Sequence, residues 1–191
     1  MTGPLSDVTV LDLTSVISGP LATSILADQG ARVIKVESPN GDSMRMAGAL
    51  KGGVSSLFSS INRNKESIAL DLRAPEAIEI INKIAARADI CIQNYRPGVV
   101  EKLGIGYEHL KKINPELIYA SISGVGAEGP YSGRRVYDPV IQAYAGFASA
   151  QTANGKPGLI KMMICDKVTS LTMAQAITAA LYDRKNTGKG Q

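Results

Sequence analysis

The sequence has few of the residues on which several common enzyme and binding-protein classes depend. Its 191 residues include no tryptophan, one histidine and two cysteines, and aromatic residues make up 5% of the chain. Two cysteines cannot build a disulfide scaffold, so Cys91 and Cys165 indicate a reducing compartment. The single histidine, His109, leaves no histidine pair for a metal or for acid–base chemistry. We therefore expect no metal site and look to carboxylate, lysine, tyrosine or cysteine side chains for catalysis.

Neither positive nor negative charge is concentrated in any one segment of the chain. The chain carries 21 Lys and Arg against 17 Asp and Glu, a formal net charge of +4, without a block of five or six like charges. Nucleic-acid binders usually concentrate such charge and interleave it with aromatic residues, so we expect no nucleic-acid partner. The mild positive excess suits a phosphorylated or carboxylated small molecule. No apolar run approaches the ~18 residues of a membrane span and no signal peptide is apparent, so we expect a cytoplasmic protein without membrane contact.

The hydrophobic pattern alternates short β-branched runs with helical stretches. Predicted strands cover 8–13, 32–37, 67–72, 89–93 and 117–123, and predicted helices cover 20–29, 74–87, 98–103, 107–113, 140–148 and 168–184. This alternation is typical of βαβ units. We predict an α/β protein of Rossmann-like type, with a mostly parallel sheet and helices on both faces, in one domain spanning residues 1–191. The turn-like segment 186–191 after a long helix predicts that this domain is a fragment of a longer chain.

A glycine-rich segment offers a weak nucleotide-binding signal. Residues 124–129 match G-x-G-x-x-G and follow a predicted strand. In dinucleotide-binding folds a helix opens at the third glycine and receives the pyrophosphate. Here Pro130 and Gly133 follow at once, which predicts a flexible loop instead. A generic dehydrogenase is therefore disfavoured, as is a serine hydrolase, because the chain has no G-x-S-x-G elbow.

Asp166 is the carboxylate in the most informative position. It follows the apolar run 160–165 and directly precedes the predicted helix 168–184. It can cap that helix by accepting backbone N–H groups. The same place can keep a carboxylate ionised for nucleophilic attack on an acyl group, because a helix N-terminus stabilises negative charge and lowers the pKa of an acid. Cys165 is predicted to be a buried, inert thiol, and the second candidate acid, Asp138, is predicted to start a helix with Pro139.

The most specific signal is an ordered set of short segments that spans essentially the whole chain. The set comprises Pro4-Leu5, Val10–Thr14, Ser18–Pro20, Gly30–Glu37, Gly41-Asp42 with Arg45, Asn64–Ile68, Leu70–Leu72, Ala88-Asp89, Asn94–Gly98, Asn114–Ile118, Ser123-Gly124, Gly129–Tyr131, Tyr137-Asp138, Gln142-Ala143, Gly146, Asp166 and Thr187–Gln191. Together these segments resemble the family III CoA-transferases, the group of formyl-CoA transferase and carnitine CoA-transferase. The α-methylacyl-CoA racemases are close relatives of this group.

The resemblance implies a site and a mechanism. The family's catalytic aspartate matches Asp166, and its CoA contacts match Val16, Leu70, Asn94, Tyr95, Lys102, Leu103, Arg135 and Tyr137. The implied reaction moves CoA from an acyl-CoA thioester to an acceptor carboxylic acid through an aspartyl anhydride and an aspartyl-CoA thioester. Coenzyme A enters as part of the substrate, and no metal is required.

The resemblance also implies an assembly. Family members are considerably longer than this chain and form interlocked homodimers. This chain matches their N-terminal, CoA-binding portion, without the second domain and the glycine-rich loop that closes over the site. The portion by itself is therefore expected to be inactive.

Some positions depart from the family pattern. Ile17 stands where the formyl-CoA enzyme has glutamine, and Ser38 stands where it has a CoA-contacting arginine. These changes favour a more apolar acyl pocket over formate or oxalate. The racemase branch has histidine where this chain has Tyr137, which favours the transferase. An α-methylacyl-CoA racemase-like enzyme and a non-catalytic module that binds CoA or a nucleotide remain as alternatives.

Overall fold

A parallel sheet of five strands organises the chain, which a computed structural model describes from residue 2 to residue 191. Its strands are β1 (Thr9–Asp12), β2 (Arg32–Glu37), β5 (Lys65–Ala69), β6 (Ile90–Gln93) and β7 (Ile118–Ser121). Two short antiparallel strands, β3 (Leu50–Lys51) and β4 (Val54–Ser55), form a separate hairpin. In space the five strands run β5-β2-β1-β6-β7, and every pairing is parallel.

This strand order predicts where a ligand binds. Counted along the chain, the five strands lie in the order 3-2-1-4-5 that doubly wound nucleotide-binding folds share. The chain runs outward from β1 in one direction and then, after β5, returns to β6 on the other side of β1. The loops that leave β1 and β6 therefore diverge, and they open a crevice at the carboxyl ends of these two strands.

Helices cover both faces of the sheet, as the sequence predicts. One face carries α1 (Ser18–Asp28) and α8 (Ile164–Thr187), and the other carries α3 (Pro75–Ala85), α4 (Val99–Lys102) and α5 (Tyr107–Ile113). The remaining helices are α2 (Ser56–Asn62), α6 (Asp138–Tyr144) and α7 (Phe147–Ala150), with a 3-10 turn at Ser43–Met46. None of the helices between residues 2 and 191 combines the length and apolarity that crossing a bilayer requires.

Side chains alternate between the two faces along each strand, so the sheet contributes to a hydrophobic cluster on each face. On β1, Val10 packs into the cluster that contains Leu26 of α1 and Ile177 of α8, whereas its neighbour Leu11 packs with Ile81 of α3. Both are fully buried. Because successive residues of a strand point to opposite faces, a strand covered on both sides buries neighbouring residues in turn, which is why 10–11 and 90–92 are apolar on both faces.

Several predicted boundaries differ from those in the structure. The last long helix begins at Ile164, four residues before the predicted start, so Asp166 lies inside its first turn. Strand β5 begins at Lys65, two residues early; the Lys65 side chain is buried against Asp12, and the exposed Glu66 pairs with Arg32. The predicted helix 140–148 is divided into α6 and α7 at Gly146, whose φ of 83° no continuous right-handed helix adopts.

Two further differences concern helix starts. Helix α1 begins at Ser18, so Pro20 is its third residue and not its first. Helix α2 was not predicted, because the polar stretch from Ser38 onward gives little periodicity; Ser55 caps it by accepting the Phe58 N–H at 3.0 Å.

Candidate active site

An open cavity of about 510 Å³ lies at the carboxyl ends of β1, β6 and β7, where the strand order predicts a ligand crevice. Each strand contributes the loop that follows it: residues 15–16 after β1, 94–97 after β6 and 122–124 after β7. The cavity is completed by residues 132–138 and by Cys165, Asp166 and Thr169 of α8. A volume of this size is in the range of small-molecule and cofactor sites.

The structure brings six of the nine predicted site residues to this cavity. They are Val16, Asn94, Tyr95, Arg135, Tyr137 and Asp166. The other three lie elsewhere: Leu70 and Leu103 pack against the apolar cluster on the α3 face of the sheet, and Lys102 is exposed at the end of α4. A CoA contact by these three residues stays a prediction that the cavity itself does not support.

Asn94 joins the loops that follow β1 and β6. Its Oδ1 accepts the Ser15 N–H at 2.9 Å and its Nδ2 donates to the Ser15 carbonyl at 2.7 Å, so both backbone groups of one residue are held. The next residue, Val16, has a φ of 70°, a conformation that β-branched residues rarely adopt. Such strain persists only where surrounding contacts over-determine it, and it concentrates at functional sites.

Asp166 is the third residue of α8 and is half-buried in the cavity wall. The prediction that it caps the helix is wrong, since the N-cap is Met163 and receives no side-chain hydrogen bond. Burial raises the pKa of Asp166, and the nearby charge of Asp138 raises it further, while a hydrogen bond from Ser18 opposes both. The expectation that the helix N-terminus lowers this pKa is therefore wrong in direction, because burial and the neighbouring acid raise it.

Asp138 has more contacts around the cavity than the sequence analysis predicted for it. It begins α6 as predicted, but its carboxylate is buried and bonds both to Gln142 of its own helix and to the backbone of α8. Oδ2 accepts the backbone N–H of Asp166 at 3.0 Å, and Oδ1 accepts Nε2 of Gln142 at 2.6 Å. The spacing of Asp138 and Gln142 places them on one helix face, which is the signal that would have connected them. The contact between Asp138 and α8 joins residues that are 28 positions apart, and no sequence pattern predicts it.

Three arginines line the cavity, of which the sequence analysis identified one. Arg96, Arg134 and Arg135 are exposed, and none of them forms an ion pair with any residue between 2 and 191. Arg134 lies 4.6 Å from the ring centroid of Tyr131 and donates to the Tyr144 hydroxyl at 3.1 Å. Arginine forks match phosphate and carboxylate oxygens, so this rim is suited to an anionic ligand.

Other titratable groups are poorly placed for chemistry. Burial, together with Asp138 and Asp166, raises the pKa of Cys165 and keeps its thiol protonated. His109 is exposed on α5, where its Nε2 lies 3.2 Å from Asn82 Oδ1, and it does not line the cavity. Within residues 2–191 no three His, Cys, Asp or Glu side chains gather as a metal site would require.

A buried charge network underlies the cavity and was not predicted. Asp12 is fully buried and accepts from Lys65 at 3.1 Å, from Thr23 and from both the amide and the hydroxyl of Thr14. Burial would raise the pKa of Asp12, but the positive charges of Lys65 and Lys35 and these hydrogen bonds lower it. The Lys65 ammonium, desolvated beside this acid, has its pKa lowered to about 8.

The two departures from the family pattern lie beside the cavity. Ile17 is buried at the start of α1 and is not among the residues that line the cavity. Ser38 lines a smaller neighbouring cavity of about 240 Å³, together with Lys35, Gly41 and Asp42, and its hydroxyl donates to the Gly41 carbonyl. The predicted apolar acyl pocket stays a prediction.

Comparison with known proteins identifies relatives of this chain. Acetyl-CoA:oxalate CoA-transferase of Acetobacter aceti is 43% identical over 191 residues, covering 98% of this chain and 49% of the relative. Succinyl-CoA:glutarate CoA-transferase of Homo sapiens is 43% identical over 190 residues, covering 98% of this chain and 43% of the relative. A solved CaiB/BaiF family protein from Brucella suis superposes with a TM-score of 0.94 at 40% identity, covering all of this chain and 52% of that one.

This chain thus spans about half the length of the curated relatives it matches. The α/β fold, with its mostly parallel sheet, agrees with the sequence prediction and with the solved relative. The sequence profile of CoA-transferase family III matches residues 5–191, which include every strand of the sheet and every residue that lines the cavity. The chain therefore belongs to CoA-transferase family III.

Proposed function

We propose that the complete protein containing this chain transfers CoA from an acyl-CoA thioester to a carboxylic acid, with Asp166 as the nucleophile. The observation that carries the proposal is the position of Asp166, an acid in the wall of a cavity at the switch point of the sheet, opposite loops that bear exposed arginines. The names of the relatives, which are CoA-transferases acting on carboxylic acids, support the same reaction class.

The cavity offers complementary groups for each part of a CoA thioester. Arg96, Arg134 and Arg135 supply charge-assisted hydrogen bonds for phosphate oxygens. The exposed ring of Tyr137 offers an aromatic face. Asp166 lies in the same cavity, so a thioester carbonyl can approach it while the phosphates remain at the arginine rim.

The first half of the reaction loads the acyl group onto the protein. The Asp166 carboxylate attacks the thioester carbonyl, the C–S bond breaks, and CoA leaves as the thiolate. The product is a mixed acyl–aspartyl anhydride. A carboxylate is the nucleophile that this chemistry requires, because an acid anhydride retains the energy of the thioester.

In the second half of the reaction, CoA passes from the donor acyl group to the acceptor acid. The CoA thiolate attacks the aspartyl carbonyl of the anhydride, which forms an aspartyl-CoA thioester and releases the donor acid. The acceptor carboxylate then attacks this thioester to give a new anhydride, and the thiolate returns to the acceptor carbonyl. The new acyl-CoA leaves and Asp166 is again a free carboxylate, so no net proton, electron or water is consumed.

The raised pKa of Asp166 has a consequence for pH dependence. The nucleophile is the ionised form, so the rate of adduct formation falls as pH drops through that pKa. Burial and the charge of Asp138 move this acidic limb above the range of an ordinary aspartate. The same desolvation makes the ionised carboxylate a stronger base and a better nucleophile.

We further propose that this chain is the CoA-binding portion of a homodimeric enzyme and is inactive by itself. Two observations support this. The chain spans about half of its curated relatives, and large apolar side chains are exposed around the cavity and on α8, among them Tyr137 and Leu171. Such side chains are usually covered by another domain or subunit.

Mass spectrometry tests the nucleophile directly. Incubation of the complete protein with an acyl-CoA is expected to add the mass of CoA less one water, as an aspartyl thioester, to the tryptic peptide Met162–Lys167. That peptide contains one acid, Asp166, and one thiol, Cys165, so fragmentation must separate the two positions. Asp166→Asn is expected to abolish both adduct and turnover while leaving CoA binding intact.

The matched control is Asp183→Asn, an exposed acid of the same helix, which is expected to react like the unmodified protein. Turnover that survives Asp166→Asn contradicts the proposed nucleophile. CoA binding without any adduct favours the non-catalytic module, and deuterium exchange at the α-carbon of an acyl-CoA favours the racemase.

A further inference from the structure

A buried polar side chain connects α6 with the start of α8. Gln142 is 1% exposed. Its Nε2 lies 2.6 Å from Asp138 Oδ1, 3.3 Å from the Ile160 carbonyl oxygen and 3.2 Å from the Met162 carbonyl oxygen, and its Oε1 accepts the Ile160 N–H at 2.8 Å. One N–H of the amide therefore serves Asp138, and the other is shared by the two carbonyls. Every polar atom of this side chain is occupied.

Asp138 extends this connection to the proposed nucleophile. Its second oxygen, Oδ2, accepts the backbone N–H of Asp166 at 3.0 Å. Two donors thus face the two oxygens of one carboxylate, and an asparagine at this position could accept from only one of them. These two hydrogen bonds therefore require a carboxylate at position 138, and a side chain of the same size is not enough.

The result is a continuous set of hydrogen bonds that ends at the reacting residue. It runs from the loop just before α8, through Gln142 and Asp138, to the peptide group of Asp166. The amide N–H of Asp166 belongs to the first turn of the helix, where it has no partner within the helix. Asp138 supplies that partner from another element, so its position and the position of the first turn are linked.

We propose that Gln142 is a positioning residue for Asp166: by holding the Asp138 carboxylate, it sets where the first turn of α8 presents the Asp166 side chain and keeps a second negative charge beside it. The catalytic consequence rests on the proposed function, whereas the structural linkage between the three residues does not. Gln142 is not among the residues that line the cavity, so it acts on a substrate only through Asp138 and Asp166.

The polar, titratable and charged groups near Asp166 come from several elements. Asp138 approaches from α6 and Ser18 from α1, while Cys165 is its neighbour on α8. Arg96, Arg134 and Arg135 line the same cavity from the loops. Among these groups, Asp138 is the one that Gln142 holds, so loss of Gln142 changes the field at Asp166 through Asp138 and not through the arginines.

A carboxyl titration measures this linkage without any substrate. The complete protein is labelled with aspartate that carries 13C at its side-chain carboxyl, and the Asp166 signal is identified by its loss in Asp166→Asn. Gln142→Met removes the amide at similar volume, and Asp138→Asn removes the charge. Both are expected to move the Asp166 titration to lower pH, whereas Gln175→Met, at an exposed site on α8, is expected to leave it unchanged.

The rate of adduct formation in a single turnover supplies the catalytic readout. Gln142→Met is expected to reduce it by about 10²-fold, the effect of misplacing a reacting group by about 1 Å, with CoA affinity unchanged. An Asp166 titration that does not move in Gln142→Met overturns the proposal, even if that variant is less stable. If the titration moves but no acyl-CoA forms an adduct, the positioning role stands and the proposed transfer reaction fails.

Discussion

At the residue scale, single acids at the carboxyl edge of the sheet are kept ionised by specific partners. Glu37 is 5% exposed. Burial would raise its pKa, but hydrogen bonds from Arg45, from the Ser67 hydroxyl and from the Asp42 N–H outweigh burial and lower it from 4.5 to about 2. The acid therefore stabilises the fold only while it is ionised.

The pH dependence of stability follows from this shift. Because the pKa is lower in the folded state, the contribution is complete above pH 4.5 and is lost as pH falls towards 2. Glu37→Gln is expected to lower the free energy of unfolding at pH 7 by about 1–2 kcal/mol, because each pKa unit corresponds to about 1.4 kcal/mol and solvent screens the partly exposed Arg45. The difference from the unmodified protein should shrink as the pH is lowered.

Urea denaturation at a series of pH values measures this difference. The control is Glu79→Gln, an exposed acid on α3 without an ion pair among residues 2–191. A stability loss in Glu37→Gln that is the same at pH 3 as at pH 7 would show that the acid acts through packing and not through its charge.

At the element scale, the first turn of α1 depends on a close approach to the strand before it. Gly19 lies against Thr14, and a Cβ added at Gly19 would stand 2.3 Å from the Thr14 Cβ. Thr14 cannot move freely, since its hydroxyl and its amide both bond to Asp12. The glycine is therefore required by space and not by a left-handed backbone.

Gly19→Ala is expected to destabilise the protein by about 1–3 kcal/mol, the usual cost of overpacking a buried site. Its matched control is Gly133→Ala, where an added Cβ meets nothing within 4 Å and φ is not positive. Thermal or urea denaturation of the two variants gives the comparison. Equal stability of both would mean that α1 shifts to accept the methyl group without loss.

At the scale of the whole molecule, exposed apolar side chains are distributed unevenly. Between residues 131 and 182 they include Tyr137, exposed by 72%, and Leu171, exposed by 62%. The sheet and its α3 face show far fewer. A surface of this kind is usually covered by another domain or subunit, and the proposed homodimer is one way to cover it.

Leu171→Glu tests this partner. The complete protein is expected to sediment as a dimer, and the variant is expected to shift towards the monomer because a charge would have to be buried in the interface. Ser60→Glu, an exposed site on α2, adds the same charge elsewhere and should leave the dimer intact. A protein that sediments as a monomer before any substitution contradicts the proposed dimer.

The element types and the family follow from local pattern. Strand and helix periodicity predicted the parallel sheet, and the ordered segments identified the family, because both signals are carried by residues close in sequence. Two of the boundaries that failed involve distant contacts. Strand β5 starts at Lys65, which pairs with Asp12, and the early start of α8 coincides with a hydrogen bond from the Asp166 N–H to Asp138.

The amino-acid sequence by itself determined the fold class and the family, and it singled out Asp166 as the acid of the proposed chemistry. Only the tertiary structure decided which candidates share a cavity, that Leu70, Lys102 and Leu103 do not, and that the pKa of Asp166 is raised and not lowered. The physical reason is that burial and charge–charge interaction depend on distance in space. Asp138 and Asp166 are 28 residues apart along the chain, yet one hydrogen bond joins them.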